Sequence, residues 1–199
     1  MISRLRALIK RIQMYIQITE MGPIARRYFV KNGFDGSMTM LGIIMGNWVV
    51  NVTQAEIVVT TGLATCLAMG ISGISASYMT EMAERKRDLK ELESAMITKL
   101  DDCLLSDATR FVSLYAALVD SGSQIITALV SLAPFFFLLH GLIAVQNAYI
   151  SSLVVTLITL FMLGVYLGRV AKENALLYGI QTLVAGVATA LIALLLEAV

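Results

Sequence analysis

Four stretches of this chain contain no Asp, Glu, Lys or Arg: those between Asp35 and Glu56, Glu56 and Glu81, Asp120 and Arg169, and Glu173 and Glu197. A bilayer core needs about 20 consecutive apolar residues per helix. Three of the four gaps fit one such helix each, and that between Asp120 and Arg169, about twice their length, fits two. The composition agrees. Of 199 residues 58% are hydrophobic and 15% charged, with a mean hydropathy of +0.80, outside the range of soluble domains. The expected fold is all-α, a polytopic membrane protein with five transmembrane helices at Asp35 to Val52, Ile57 to Thr80, Gly122 to Val145, Ala148 to Gly168 and Ala175 to Leu196, with "NVTQAE", "QN" and "KEN" as polar turns.

Lys and Arg set the orientation, because positive charge is retained on the cytoplasmic side. All 15 basic residues fall in three groups: the segment before Asn32, the stretch Arg85 to Arg110, and the turn Arg169 to Lys172. With five spans these share one side. The N-terminus is then cytoplasmic, the C-terminus outside, and the loops around Thr53 and Asn147 carry no basic residue. The expected organisation is a basic cytoplasmic segment at 1–31, two spans at 32–80, a short charged helical segment at 81–120 and three spans at 121–199.

Residues 1–31 lack the long apolar core of a signal peptide. "SRLRALIKRIQMYIQI" instead puts Leu5, Leu8, Ile12, Tyr15 and Ile16 on one helical face among basic residues, a pattern for a helix lying on an anionic membrane surface. Cys66 and Cys103 make no disulfide framework. Pro134 in "SLAPFFF" is expected to kink the third span. The second span is rich in small residues, and Gly73 with Ser77 fits the small-xxx-small spacing of close helix contacts. That spacing suits packing within one bundle, a dimer seam or a polar path.

The candidate chemistry begins at "NGFDGSMTMLGIIMGNW". Asp35, Met38, Gly42 and Met45 fall at i, i+3, i+7 and i+10, so one helical face is expected to carry a carboxylate and two thioethers. Aspartate also caps helices, and methionine stripes also serve packing. Carboxylate oxygen with thioether sulfur nevertheless suits a borderline first-row divalent ion. Glu81, Glu84, Asp88 and Glu91 repeat the same spacing, which extends the second span into the cytoplasm as one helix with an acidic stripe. Glu81 with Arg85 reads equally as an i,i+4 pair. His140, the sole histidine, reads as an interfacial hydrogen-bonder. No Cys/His cluster, phosphate-cradling loop, Ser-His-Asp set or nucleic-acid reader is visible. The Asp-Gly pair also opens the signature of CDP-alcohol phosphotransferases, but "DGSMTMLGIIMGN" lacks the Ala-Arg and the further aspartates that signature requires. An enzyme is not expected.

Two segments, "FDGSMTMLGIIMG" and "VVTTGLATCLAMGISGISASYMTEMAE", and less specifically "ALVSLAPFFFLL" and "LGRVAKENALLYGIQTLVAGVATALIALL", make the chain resemble the vacuolar iron transporter family from Gly33 onward. The resemblance implies a homodimer with a metal path at or near the subunit interface, exchanging ferrous or manganese ion for protons. It places the first-span aspartate at Asp35 and the acid ending the second span at Glu84. Where family members often have a further acid, this chain has Tyr28. The second-span methionine position falls at Gly73, with Met69 one turn away. Residues 81–120 are too few for the family's three-helix metal-binding domain, so the resemblance is to a prokaryotic-type member with a shortened cytoplasmic insert.

The resulting expectation is a carrier that moves Fe2+ or Mn2+ out of the cytoplasm, in the cell membrane of a prokaryote. The metal is cargo and not a cofactor, and the partners are a second copy, the ion and the bilayer. Metal ligands would come from Asp35, Met38, Met45, Met69, Glu81, Glu84, Asp88 and Glu91. A non-transporting membrane scaffold and a carrier of another substrate are the rival readings.

Overall fold

A computed structural model describes residues 21–96 and 104–195. The proposed surface helix before residue 21 and Cys103 lie outside the described residues. Five long helices account for nearly all of them: α1 (Met21–Val49), α2 (Ala55–Met96), α3 (Leu104–Leu139), α4 (Val145–Ala171) and α5 (Ala175–Leu195). Among the described residues, four segments are long and apolar enough to cross a membrane: Ala55–Ala95, Thr109–Leu139, Val145–Ala171 and Ala175–Leu195. The protein is therefore an all-α, multi-pass membrane protein. The expected first span, within α1, does not meet that measure of length and apolarity, because Asn32, Asp35, Asn47 and several glycines interrupt its apolar run.

Helix ends follow the local chemistry. After α1, Asn51 adopts a left-handed φ of 55°, its amide bonds the Trp48 carbonyl, and the Val52 amide reaches back to Asn47. The same paired bonding closes α3 at Gly141 (φ 69°) and α4 at Lys172 (φ 57°). This Schellman arrangement satisfies the last free carbonyls of each helix. The Asn174 side chain then accepts from the Leu176 and Leu177 amides and starts α5, as an N-cap does. One expected turn is corrected here. "QN" lies inside the first turn of α4, and the α3–α4 reversal falls at 140–144, where glycine supplies the left-handed residue that polar Gln146 and Asn147 do not. Pro134 sits within α3, whose helical assignment is unbroken.

The described residues form two compact units, one of Phe29–Gly70 with 122–195, the other of 71–96 and 104–121 with 21–28. In the first, Met40 and Ile44 of α1, Val58, Val59 and Cys66 of α2, Ala128, Leu132 and Phe135 of α3, and Ala148 and Tyr149 of α4 make one buried cluster. Trp48 stacks on Tyr149 at 5.6 Å, and the Tyr149 hydroxyl donates to the Val52 carbonyl at 2.7 Å. Leu41, Met45 and Ala190 form a second cluster joining α1 to α5. Helices α4 and α5 cross closely at Gly164, where any side chain would meet Thr182 and the Tyr178 carbonyl. Thr182 there donates to the Leu160 carbonyl at 2.9 Å, so small residues and a hydroxyl substitute for the apolar driving force that lipid cannot supply.

Candidate functional site

Asp35 lies in the middle of α1, one residue before a fixed point of the packing. A Cβ on Gly36 would run into the Gln124 carbonyl and the Thr127 hydroxyl of α3, and one on Gly33 would touch Leu163 and Thr127 at 3.4 Å. The glycines hold α1 against α3 and turn the Asp35 side chain the other way, where it is exposed. Thr39, Gly42 and Gly46, at i+4, i+7 and i+11, are exposed along with it, and a side chain built on Gly42 or Gly46 meets nothing within 4 Å.

The two thioethers do not share that setting equally. Met38 is half-buried, whereas Met45 is 1% exposed in the cluster with Leu41 and Ala190. With 3.6 residues per turn, a position ten residues on has rotated about 80° away from the start. The stripe therefore begins on an open face and ends in the core. Met69 of α2 is half-buried against the larger cluster of the same unit.

The other unit organises the acids of α2. Glu81 is 5% exposed. One of its oxygens accepts from the Tyr28 hydroxyl at 2.7 Å, and the other receives Arg85 at 3.2 Å, the expected i,i+4 pair. Burial, reinforced by the facing carboxylate, pushes the Tyr28 phenol up to about 12, so it stays a donor throughout the physiological range. One turn earlier on α2, Ser77 donates to Asp120 of α3, a buried pair. Gly73 is buried as well, so the Gly73/Ser77 spacing serves packing within the chain. Glu84 and Asp88 are exposed, and Glu91, also exposed, pairs with Arg87 at 3.0 Å. Asp88 lines a small cleft with Arg85, Leu89, Leu92 and Thr109.

Asp120 went unnoticed in the sequence, where it serves only to mark the edge of an uncharged stretch. Its i+43 relation to Ser77 has no periodic signature. His140 is exposed, and its Nδ1 lies 2.8 Å from the Phe136 carbonyl. Among the described residues, no three His, Cys, Asp or Glu side chains gather into a group able to hold a metal ion.

Comparisons with known proteins complete the picture. An uncharacterized protein of Methanocaldococcus jannaschii is 26% identical over 179 residues, covering 88% of this chain and 90% of that protein. A sequence profile of the VIT family matches residues 73–197, a segment that includes Glu81, Glu84, Asp88 and Glu91 and begins after Asp35, Met38, Met45 and Met69. With well over half of its length matched, the chain belongs to the VIT family.

Proposed function

We propose that the protein exports a divalent transition metal, Fe2+ or Mn2+, from the cytoplasm in exchange for protons. It works as a homodimer of five-span subunits in a prokaryotic cell membrane, with the N-terminus cytoplasmic and the C-terminus outside. The observation that carries this reading is the exposed Asp35 carboxylate on α1, beside the uncovered positions Thr39, Gly42 and Gly46. A carboxylate facing hydrocarbon costs a few kcal/mol. A second copy closing on this face would remove Asp35 from lipid and bring a second Asp35 and Met38 toward the first. Two oxygens and two sulfurs form a donor set suited to a first-row ion.

In this scheme Asp35 binds the ion and exchanges it for a proton, since a carboxylate must be deprotonated to ligate. Met38 adds a soft ligand. Glu84, Asp88 and Glu91, exposed on the segment 81–120, attract cations from the cytosol. Glu81 is held by Tyr28 and Arg85 and positions that segment. Met45 and Met69 act through packing. A non-transporting scaffold is the second reading, favoured by the lack of a three-ligand group among the described residues of one subunit.

The deciding experiment is flux of Fe2+, Mn2+, Co2+, Zn2+ and Ca2+ into proteoliposomes, with and without a proton gradient. Asp35→Asn keeps the shape of the side chain and removes its charge. It should assemble normally and lose metal flux by at least about tenfold. Unchanged flux in this variant would remove Asp35 from the path, and no flux of any metal by the wild type would leave the scaffold.

A further inference from the structure

The basic residues of α2 divide into two sets. Arg85 and Arg87 are paired with Glu81 and Glu91 on their own helix. Lys86 and Lys90, one turn apart, make no ion pair among the described residues. They open instead onto a cleft of about 420 Å3 whose far wall carries Thr109 and Arg110 of α3, with Met82 and Leu89 as its apolar lining and Glu93 at its edge. Among the described residues that line it, three cations face one acid, a surplus of positive charge. Along α3 from Arg110, Leu114 and Leu118 follow at i+4 and i+8 and are 47% and 54% exposed, and Met79 on α2 is 69% exposed. A cationic cleft thus sits beside an uncovered apolar surface in the same unit.

We propose that this cleft binds the phosphate headgroup of an anionic phospholipid, with Lys86, Lys90 and Arg110 around the phosphate and the acyl chains along Met79, Leu114 and Leu118. Phosphate is the chemistry recognised, because two ammonium groups and a guanidinium supply donors and charge but no acceptor. The apolar continuation selects a lipid over a free anion. Basic pockets between helices on the cytoplasmic side are suited to such headgroups, each Lys or Arg adding about tenfold or somewhat less in affinity. The inference rests on the proposed topology, which puts Lys86 and Arg110 at the cytoplasmic leaflet, and not on the identity of the cargo.

The test uses the full chain purified in a mild neutral detergent and titrated separately with phosphatidylglycerol, phosphatidylcholine and inorganic phosphate. Melting temperature and the lipid retained in native mass spectrometry are read together. Phosphatidylglycerol should raise the melting temperature and stay bound, and the other two should do neither. The combined variant Lys86→Gln, Lys90→Gln, Arg110→Gln should weaken phosphatidylglycerol binding by roughly a hundredfold, while Lys172→Gln, at the exposed α4–α5 turn, leaves it unchanged. Glu93→Gln should tighten binding a few-fold. Each single substitution should weaken it several-fold, which preserves the test if the combined variant does not fold. Wild-type lipid retention in the substituted proteins would overturn the proposal. So would equal stabilisation by inorganic phosphate, which would make the cleft a free-anion site. Metal flux is not part of either readout, so failure here leaves the transport reading standing.

Discussion

The Tyr28 hydroxyl donates a 2.7 Å hydrogen bond to Glu81 across 53 positions of sequence. A carboxylate in place of this tyrosine would set two acids against each other at a 5% exposed position. The phenol instead satisfies one oxygen of Glu81 while Arg85 satisfies the other. Replacing the tyrosine by phenylalanine strands that oxygen in a buried site, at a cost of about 1–3 kcal/mol.

The same contact has a pH signature. The Tyr28 pKa rises from an ordinary 10.0 to about 12, so the folded state holds this proton more tightly than the unfolded chain. Its contribution to stability is complete below pH 10 and is lost as the pH climbs toward 12. Melting curves of the wild type should show this alkaline loss, and Tyr28→Phe should melt lower at neutral pH and lack that component. Parallel curves at all pH values would show that the bond does not form.

Gly36 and Gly42 lie on one helix with opposite surroundings. A methyl group at Gly36 collides with backbone and side chain of α3, whereas one at Gly42 meets nothing within 4 Å. Overpacking of this kind costs about 1–3 kcal/mol, and a helical glycine replaced by alanine gains about 0.5–1 kcal/mol. Gly36→Ala should therefore lower the melting temperature and Gly42→Ala should hold or raise it. Gly42→Leu adds bulk on the Asp35 face without disturbing the subunit. On the dimer reading it should weaken association, measured by sedimentation in detergent, and reduce metal flux.

Met38 and Met45 separate packing from ligation. Met45 is 1% exposed, so Met45→Leu, close to it in volume, should cost less than about 1.5 kcal/mol and leave metal preference as it is. Met38, half-buried and three residues from Asp35, should change preference when replaced by leucine, with the softer ions losing most. Competition among Fe2+, Mn2+ and Ca2+ in the flux assay measures this directly. A preference change at Met45 alone would reverse the assignment.

Charge placement made much of this fold readable. The gap from Glu173 to Glu197 located α5, and the spacing of Glu81, Glu84, Asp88 and Glu91 anticipated that α2 runs unbroken to Met96. The α3–α4 turn was misplaced because its signal is conformational: one left-handed glycine, Gly141, outweighs two polar residues that a helix's first turn accommodates easily. Tertiary pairs were illegible for a different reason. Nothing periodic connects Tyr28 to Glu81 or Ser77 to Asp120, since each depends on which helices become neighbours. The Asp35–Met45 stripe failed as a single face because the helical repeat drifts over ten residues.

Helix α1 carries the last and most decisive prediction. Its apolar run is too broken to qualify as a membrane span by composition, yet Met40, Leu41 and Ile44 are 0% exposed and Met45 1%. A helix covered over most of its surface by other helices can hold the buried Asn32 and half-buried Asn47, while Asp35, on the exposed face, would be covered by the second copy of the proposed dimer. Crossing would also place Arg26, Arg27 and Lys31 on the side of Arg85 to Arg110, as retention of positive charge demands. Single cysteines in a background of Cys66→Ala and Cys103→Ser separate the alternatives. Thr53 and Lys86 bracket the membrane span of α2 and should label from opposite sides with or without a span in α1. Arg26→Cys decides the matter. If α1 crosses, Arg26 labels with Lys86 and Lys172, opposite Thr53 and His140, giving five spans. If Arg26 labels together with Thr53, α1 does not cross and the subunit has four.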